Sequence, residues 1–220
     1  MRVLAIDTTT VRASVAVVED QEVLGEVRLA GADVPSIQIL PAVDFLCAQL
    51  GLTPAELDGF AVAIGPGSFT GLRVGIATVE GLALGSGRPV VGVGTLQALA
   101  HRIRGTADRL VALMSAYREG VYVGVHDREA QPVEPPRLVR AEALAPLLPE
   151  HGAFVGEAAQ THRALIAAAY PGAVFPERSL FLASALGRIA VARLAAGEGT
   201  TPDRLRPLYL REPHIGPPRA

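Results

Sequence analysis

The chain has 220 residues, of which 50% are hydrophobic and 19% charged, with a formal net charge of -2. Its apolar runs are broken by charge, Gly or Pro well short of the roughly 20 residues that a membrane span needs, which excludes a membrane protein, and a near-neutral charge argues against a chain that grips nucleic acid by itself. All 20 basic residues are arginine, which excludes a P-loop lysine, Schiff-base chemistry and a Ser-Lys dyad, and the one cysteine, Cys47, excludes an internal disulfide.

The N-terminus enters a strand directly, Val3 to Ile6, with no leader visible, so a cytoplasmic protein is expected. That strand ends in Asp7-Thr8-Thr9-Thr10. Ala13 to Val18 and Val23 to Leu29 then form a hairpin with its turn near Asp20. A helix is predicted from Ser36 to Leu50. Thr53-Pro54-Ala55-Glu56 reads as an N-cap with Pro at the first helical position and an acid at the third. A strand over Phe60 to Ile64 leads into Gly65-Pro66-Gly67-Ser68-Phe69-Thr70-Gly71-Leu72-Arg73-Val74-Gly75, and a helix over Leu72 to Leu84 stops at Gly85-Ser86-Gly87. Val90 to Val93 is the next strand, and Thr95 caps a helix reaching Ile103. A first lobe over residues 1–104 and a second over 105–220 follow from this order. The second lobe reads as a hairpin, Leu110 to Tyr117 and Val121 to His126 with its turn at Arg118-Glu119-Gly120. A polar connection over Asp127 to Pro136 follows, with helices over Ala141 to Leu148, Thr161 to Ala169 and Ser184 to Ala196. Phe154-Val155 is a short strand, and a mobile tail starts at Pro213.

Two of these stretches carry chemistry. Glycines between a strand and a helix let backbone N–H groups approach a ligand at a helix start, where the dipole favours anions. The same glycines also serve a tight turn, with Gly67 or Gly71 in a backbone conformation costly for other residues. The run is neither a Walker loop, lacking the Lys-Ser/Thr ending, nor G-x-G-x-x-G, since its third glycine falls one residue late. An Asp followed by threonines at the end of a buried strand can hold magnesium waters and phosphate oxygens, as in the actin, hexokinase and Hsp70 (ASKHA) class. The fold expected is therefore α/β, with two ribonuclease-H-like lobes of that class. The candidate vestigial phosphate-binding residues are Asp7, Thr8, Thr9, Gly65, Gly67, Ser68, Thr70 and Gly71.

Ala5-Ile6-Asp7-Thr8-Thr9, the undecapeptide Gly65 to Gly75, Gly81-Leu82-Ala83, Pro89-Val90-Val91-Gly92-Val93 and Pro207-Leu208-Tyr209-Leu210-Arg211 together resemble the bacterial TsaB (YeaZ) family, densely up to about Ala100 and sparsely beyond. The resemblance implies a non-catalytic subunit of the complex that places threonylcarbamoyl on the adenosine next to the tRNA anticodon. It implies TsaD and the ATPase TsaE as partners, tRNA contacted only through the complex, and ATP or ADP bound by the partner subunits rather than by the isolated chain. The TsaD paralogue carries a His-x-x-x-His metal motif on the first long helix; here that stretch is Val34 to Pro41 and holds no histidine, nor the His that TsaB relatives often keep before Ser36. The five histidines, His101, His126, His151, His162 and His214, never fall within four residues of one another, so no metal site is expected. Where TsaB members commonly read Asp-Ala-Arg, two variable residues and Glu-Val-Tyr, this chain has Ser115, Tyr117 and Gly120 in place of the Asp, Arg and Glu.

The first lobe's helices point to a partner independently of family. Between Leu72 and Leu84 only Arg73, Thr78 and Glu80 are polar, and the helix from Ser36 to Leu50 is nearly as apolar. Helices apolar on most sides need cover on most sides, and one sheet covers a single stripe of each. Leu40, Val43, Gly75, Ala77 and Val79 are the expected contact residues, for TsaD or for a second copy in an isolated homodimer, the alternative being that the second lobe covers these faces. A self-sufficient ATP-binding phosphotransferase or ATPase of the actin-like class is the alternative. A metallopeptidase-like protein is the weakest reading, since the sequence shows no metal-ligand pair and no Ser or Cys shows a base partner.

Overall fold

The computed structural model describes residues 1–31, 34–116 and 120–210, and the side chains of 34–37 lie outside that description. The turn residues 117–119, Arg211 and the tail from Pro213 fall outside it too. The N-terminal strands β1 (Arg2–Asp7), β2 (Arg12–Glu19) and β3 (Glu22–Ala30) form an antiparallel meander, to which β4 (Gly59–Gly65) and β5 (Val90–Gly94) add in parallel, giving the order β3-β2-β1-β4-β5. β6 (Arg109–Ala116), β7 (Gly120–Asp127), β8 (Arg137–Arg140) and β9 (Ala153–Val155) make a second sheet ordered β8-β7-β6-β9, with β6 and β9 parallel. The second sheet repeats the first without its last strand, so the two lobes share an architecture although the sequence shows no fixed period.

Strand alternation decides what each helix covers. Leu4 and Ile6 of β1 point with Val15, Val17, Phe60 and Val62 toward α1 (Val34–Leu50) and α2 (Phe69–Ser86). Val3, Ala5, Ala61, Ala63, Val91 and Val93 point the other way. There they share a core with α3 (Thr95–His101), α6 (Ala183–Ala195) and Leu110, Ala112 and Met114 of the second sheet. On that sheet's far side Val111, Leu113 and Phe154 pack with Ala158 and Ile166 of the short helices α4 (Glu157–Thr161) and α5 (Arg163–Ala169). The layers are thus α1 and α2, sheet, α3 and α6, sheet, and α4 with α5.

Three expectations are corrected here. The boundary at 104/105 fails because α6 returns to the first lobe and packs on β1, β2, β4 and β5. It is anchored by Ala183 N–H donating to Ser14 Oγ at 3.1 Å, and lies so close that a Cβ on Gly187 would stand 2.5 Å from Val18 Cγ2. Thr95 does not cap α3: Gly94 holds the cap position and the Thr95 hydroxyl is buried without a partner among the described residues. The helix expected over 141–148 is two short 3-10 turns, Ala141–Ala143 and Ala145–Leu147, because Pro146 removes an amide donor inside the segment. The Thr53 signal gives only a 3-10 turn, Pro54–Glu56, in which the Glu56 carboxylate accepts from the Thr53 amide and hydroxyl, both at 2.7 Å.

Candidate functional site

β1 ends in a turn that folds on itself. Asp7 is fully buried; its Oδ1 accepts from the Thr9 amide (3.0 Å) and hydroxyl (2.7 Å), while its Oδ2 has no partner among the described residues. Burial pushes the Asp7 carboxyl up to about 6, the two Thr9 bonds opposing the shift.

The glycine loop closes against this turn. The Thr9 carbonyl accepts from the Ser68 amide at 2.7 Å, the Thr8 hydroxyl donates to the Gly71 carbonyl at 2.7 Å, and Ser68 Oγ accepts from the Gly71 amide at 3.2 Å to cap α2. A Cβ on Gly67 would stand 2.6 Å from Thr9 Cβ, and one on Gly71 would stand 1.9 Å from the Thr8 oxygen. The space these glycines leave is thus filled by the Asp7 turn. Neither Gly67 nor Gly71 has a positive φ, so the backbone expectation is corrected: their requirement is close approach, and the left-handed position is Gly65, at φ +114°. Thr70 is exposed.

A third segment crosses the loop. The Leu208 amide donates to the Ile64 carbonyl at 2.6 Å, and a Cβ on Gly65 would lie 2.7 Å from the Leu208 oxygen. Tyr209 packs its ring 5.3 Å from that of Phe69, over which the Arg73 guanidinium sits at 4.0 Å. The late Pro207-Leu208-Tyr209 motif therefore meets the early glycine motif in space.

Between the sheets this arrangement bounds a cleft of about 480 Å³, reached by Thr9, Ser68 and Phe69 from one side, Ser115 and Tyr122 from the other, and Tyr209 from the strap. Its charged lining among the described residues is Arg12 and Glu157. Glu157 Oε1 accepts from the Ser115 amide at 2.7 Å. No local motif in the sequence marks Glu157, and none shows that Leu208 and Tyr209 lie against the glycine loop.

The expected partner residues divide. Leu40 is 51% exposed and Ala77 is exposed, whereas Val43 (1%), Val79 (0%) and Gly75 are buried against the sheet. The last three are corrected to core positions, and a Cβ on Gly75 would stand 2.4 Å from Thr8 Oγ1. α1 packs beside α2, and its outer face adds Phe45 (59% exposed) while that of α2 adds Leu84 (72%). Phase could have found Leu84: positions 73, 77, 81 and 84 fall on one stripe of α2 when 72, 76, 79 and 83 face the sheet. No three His, Cys, Asp or Glu side chains gather as metal ligands among the described residues, and no described helix is long and apolar enough to cross a membrane.

Residues 35–208 match the family model described as TsaD, tRNA N6-adenosine threonylcarbamoyltransferase. The TsaB biosynthesis protein of Escherichia coli is 37% identical over 131 residues, 59% of this chain and 56% of that protein. An uncharacterized protein of Mycobacterium tuberculosis is 35% identical over 225 residues, 98% of this chain and 94% of that one. The matches span about half the length of the curated TsaB relatives. The YeaZ structure from Pseudomonas aeruginosa superposes with a TM-score of 0.79 at 27% identity, covering 95% of this chain and 99% of that chain. An activator of 2-hydroxyisocaproyl-CoA dehydratase from Clostridium difficile (TM-score 0.59, 8% identity, 95% and 100% covered) and a ROK hexokinase from Thermus thermophilus (0.53, 12%, 90% and 100%) share the fold, which is that of the ASKHA class. With the family model covering most of its length and YeaZ matching it nearly end to end, the chain belongs to the TsaD family, among its TsaB (YeaZ) members.

Proposed function

We propose that this chain is a non-catalytic scaffold or activator subunit in tRNA threonylcarbamoyladenosine biosynthesis, binding a TsaD-type transferase through the outer face of α1 and α2. The observation that carries this reading is the exposed side of that pair: on α2 Leu84 stands exposed on one stripe with Ala77 and Gly81, which leave room for a partner backbone, and α1 beside it exposes Leu40 and Phe45 on its two flanks. A matching helix pair covers it in the complex, and a second copy covers it when the chain is alone. TsaE joins the pair in the cytoplasm, and the nucleotide belongs to those partners.

The cleft favours a second reading, ATP binding by the chain itself. Against it stands the glycine loop, two of whose amides are taken by Thr9 and Ser68. Reconstitution with TsaD, TsaE, a threonylcarbamoyl-adenylate synthase and tRNA tests the first reading: modification should require the chain. Equal modification without it overturns the scaffold, and ATP turnover by the isolated chain that Asp7→Ala abolishes establishes the second reading instead.

A further inference from the structure

At the opposite end of β2 from the interlobe cleft, α3 and α6 bound a polar groove of about 530 Å³, lined by Gln21, Arg104, Arg188 and Arg193 with His101 and Gln131 beside them. Two of its guanidiniums are held by the fold. Arg188 donates Nε to the Gln21 carbonyl at 2.9 Å, while Gln21 Nε2 returns a bond to the Arg188 carbonyl at 3.3 Å. Arg193 donates to the Gly92 carbonyl at 3.1 Å and to Gln97 Oε1 at 2.9 Å. Arg104 is exposed, and among the described residues neither it nor Arg188 has a carboxylate within ion-pair distance. Two acids share the groove, Glu198, 3.9 Å from Arg193 Nε, and Glu129. His101 adds no charge at neutral pH, because burial and the surrounding Arg104, Arg188 and Arg102 push it down to about 4.

We infer that this groove is an anion site that takes phosphate oxygens of an RNA backbone. A guanidinium fixed through one edge keeps its remaining N–H groups aimed outward, so little freedom is lost when they fork onto two phosphate oxygens. Arg188 is fixed in that way, and Arg104 supplies the second, more adaptable cation. The chain's net charge of -2 weakens long-range attraction to nucleic acid, but a phosphate at contact reads the local field within about one Debye length. Free phosphate offers the same oxygens. The choice of RNA as their source rests on the proposed role in tRNA modification, while the groove does not.

The test titrates the full chain into labelled unmodified tRNA over a salt series, with inorganic phosphate measured separately by calorimetry. Arg104→Gln removes a guanidinium that makes no hydrogen bond or ion pair among the described residues, and Arg140→Gln, an exposed position on β8 far from the groove, removes the same charge. The expected result is that Arg104→Gln weakens tRNA binding on the order of tenfold at low salt and lowers the slope of log K against log salt by about 1, with Arg140→Gln unchanged. Phosphate binding that depends on Arg104, without tRNA binding, keeps the site and overturns the RNA source. Equal tRNA binding by wild type and Arg104→Gln, or no binding of either probe, overturns the proposal. Reconstituted modification that proceeds without the chain, while Arg104-dependent tRNA binding persists, removes the scaffold reading alone.

Discussion

The Thr8 hydroxyl donates to the carbonyl of Gly71 at 2.7 Å, and the Thr8 carbonyl in turn lies where a Gly71 Cβ would be, 1.9 Å away. Two motifs that read as halves of a ligand site are therefore each other's packing partners. The loop glycines permit one backbone to rest on another, and α2 starts from that contact.

Gly71→Ala and Gly67→Ala should destabilise the chain by about 2–4 kcal/mol, because the added carbon meets backbone or Cβ atoms that cannot swing away. Gly81→Ala should act in the opposite direction, gaining about 0.5–1 kcal/mol, since its Cβ meets nothing within 4 Å in the middle of α2. Urea denaturation of the three variants checks both signs, and unchanged midpoints for the loop pair would show that the Asp7 turn yields.

Asp7 gives stability a pH signature. Its carboxyl titrates near 6 in the fold against 3.8 in the open chain, so the folded state holds the extra proton between those values. Stability from this group falls as pH climbs through that window and is level above it. His101, pushed down to about 4 from 6.5, has the opposite slope over the same range, so only a difference isolates Asp7. Asp7→Asn should gain on wild type by on the order of 2–3 kcal/mol between pH 3.5 and pH 7. A difference that stays constant with pH means that the carboxyl is not held in this way.

Much of the fold was legible because its signals are local. The β1 to β3 meander, the strand-loop-helix unit at Gly65 and the β6–β7 hairpin follow from alternation and turn residues, and their strands fall within a residue or two of the expected ends. What was not legible depends on distance. Nothing around 183–195 says that α6 crosses back to cover the first sheet, since an Ala/Leu-rich helix suits either lobe. β8, Arg137–Arg140, was missed because its cue is the edge of β7 rather than its own composition. At the site, residue types announced a phosphate loop, but whether its glycines face a ligand or a neighbouring carbonyl is fixed by the placement of Thr8 and Thr9.

The corrected boundary is testable with a fragment. Residues 1–104 lack α6, which buries Val3, Ala5, Val18 and Ala61 on one face of the first sheet, and lack Leu205 on the other. That fragment should be unfolded or aggregated, without a cooperative thermal transition, whereas the full chain should melt cooperatively. A cooperative transition in 1–104 would restore an independent first lobe.

The α1–α2 face separates binding from folding once its phase is known. Phe45 and Leu84 point away from the sheet, so Phe45→Glu and Leu84→Glu place a charge in water in the free chain and in an apolar interface in the complex. Each should leave the melting temperature within a few degrees of wild type and weaken association with a TsaD partner, or with a second copy, by at least about 2 kcal/mol, close to thirtyfold. Val79→Arg is the contrast: its side chain lies wholly within the core between α2 and the sheet, so the variant should fail to fold rather than fail to bind. Size-exclusion chromatography and calorimetry on the three variants decide the placement. A folded Leu84→Glu and Phe45→Glu that both bind with wild-type affinity would move the interface elsewhere, because no partner surface tolerates two buried, unpaired carboxylates at the centre of its contact.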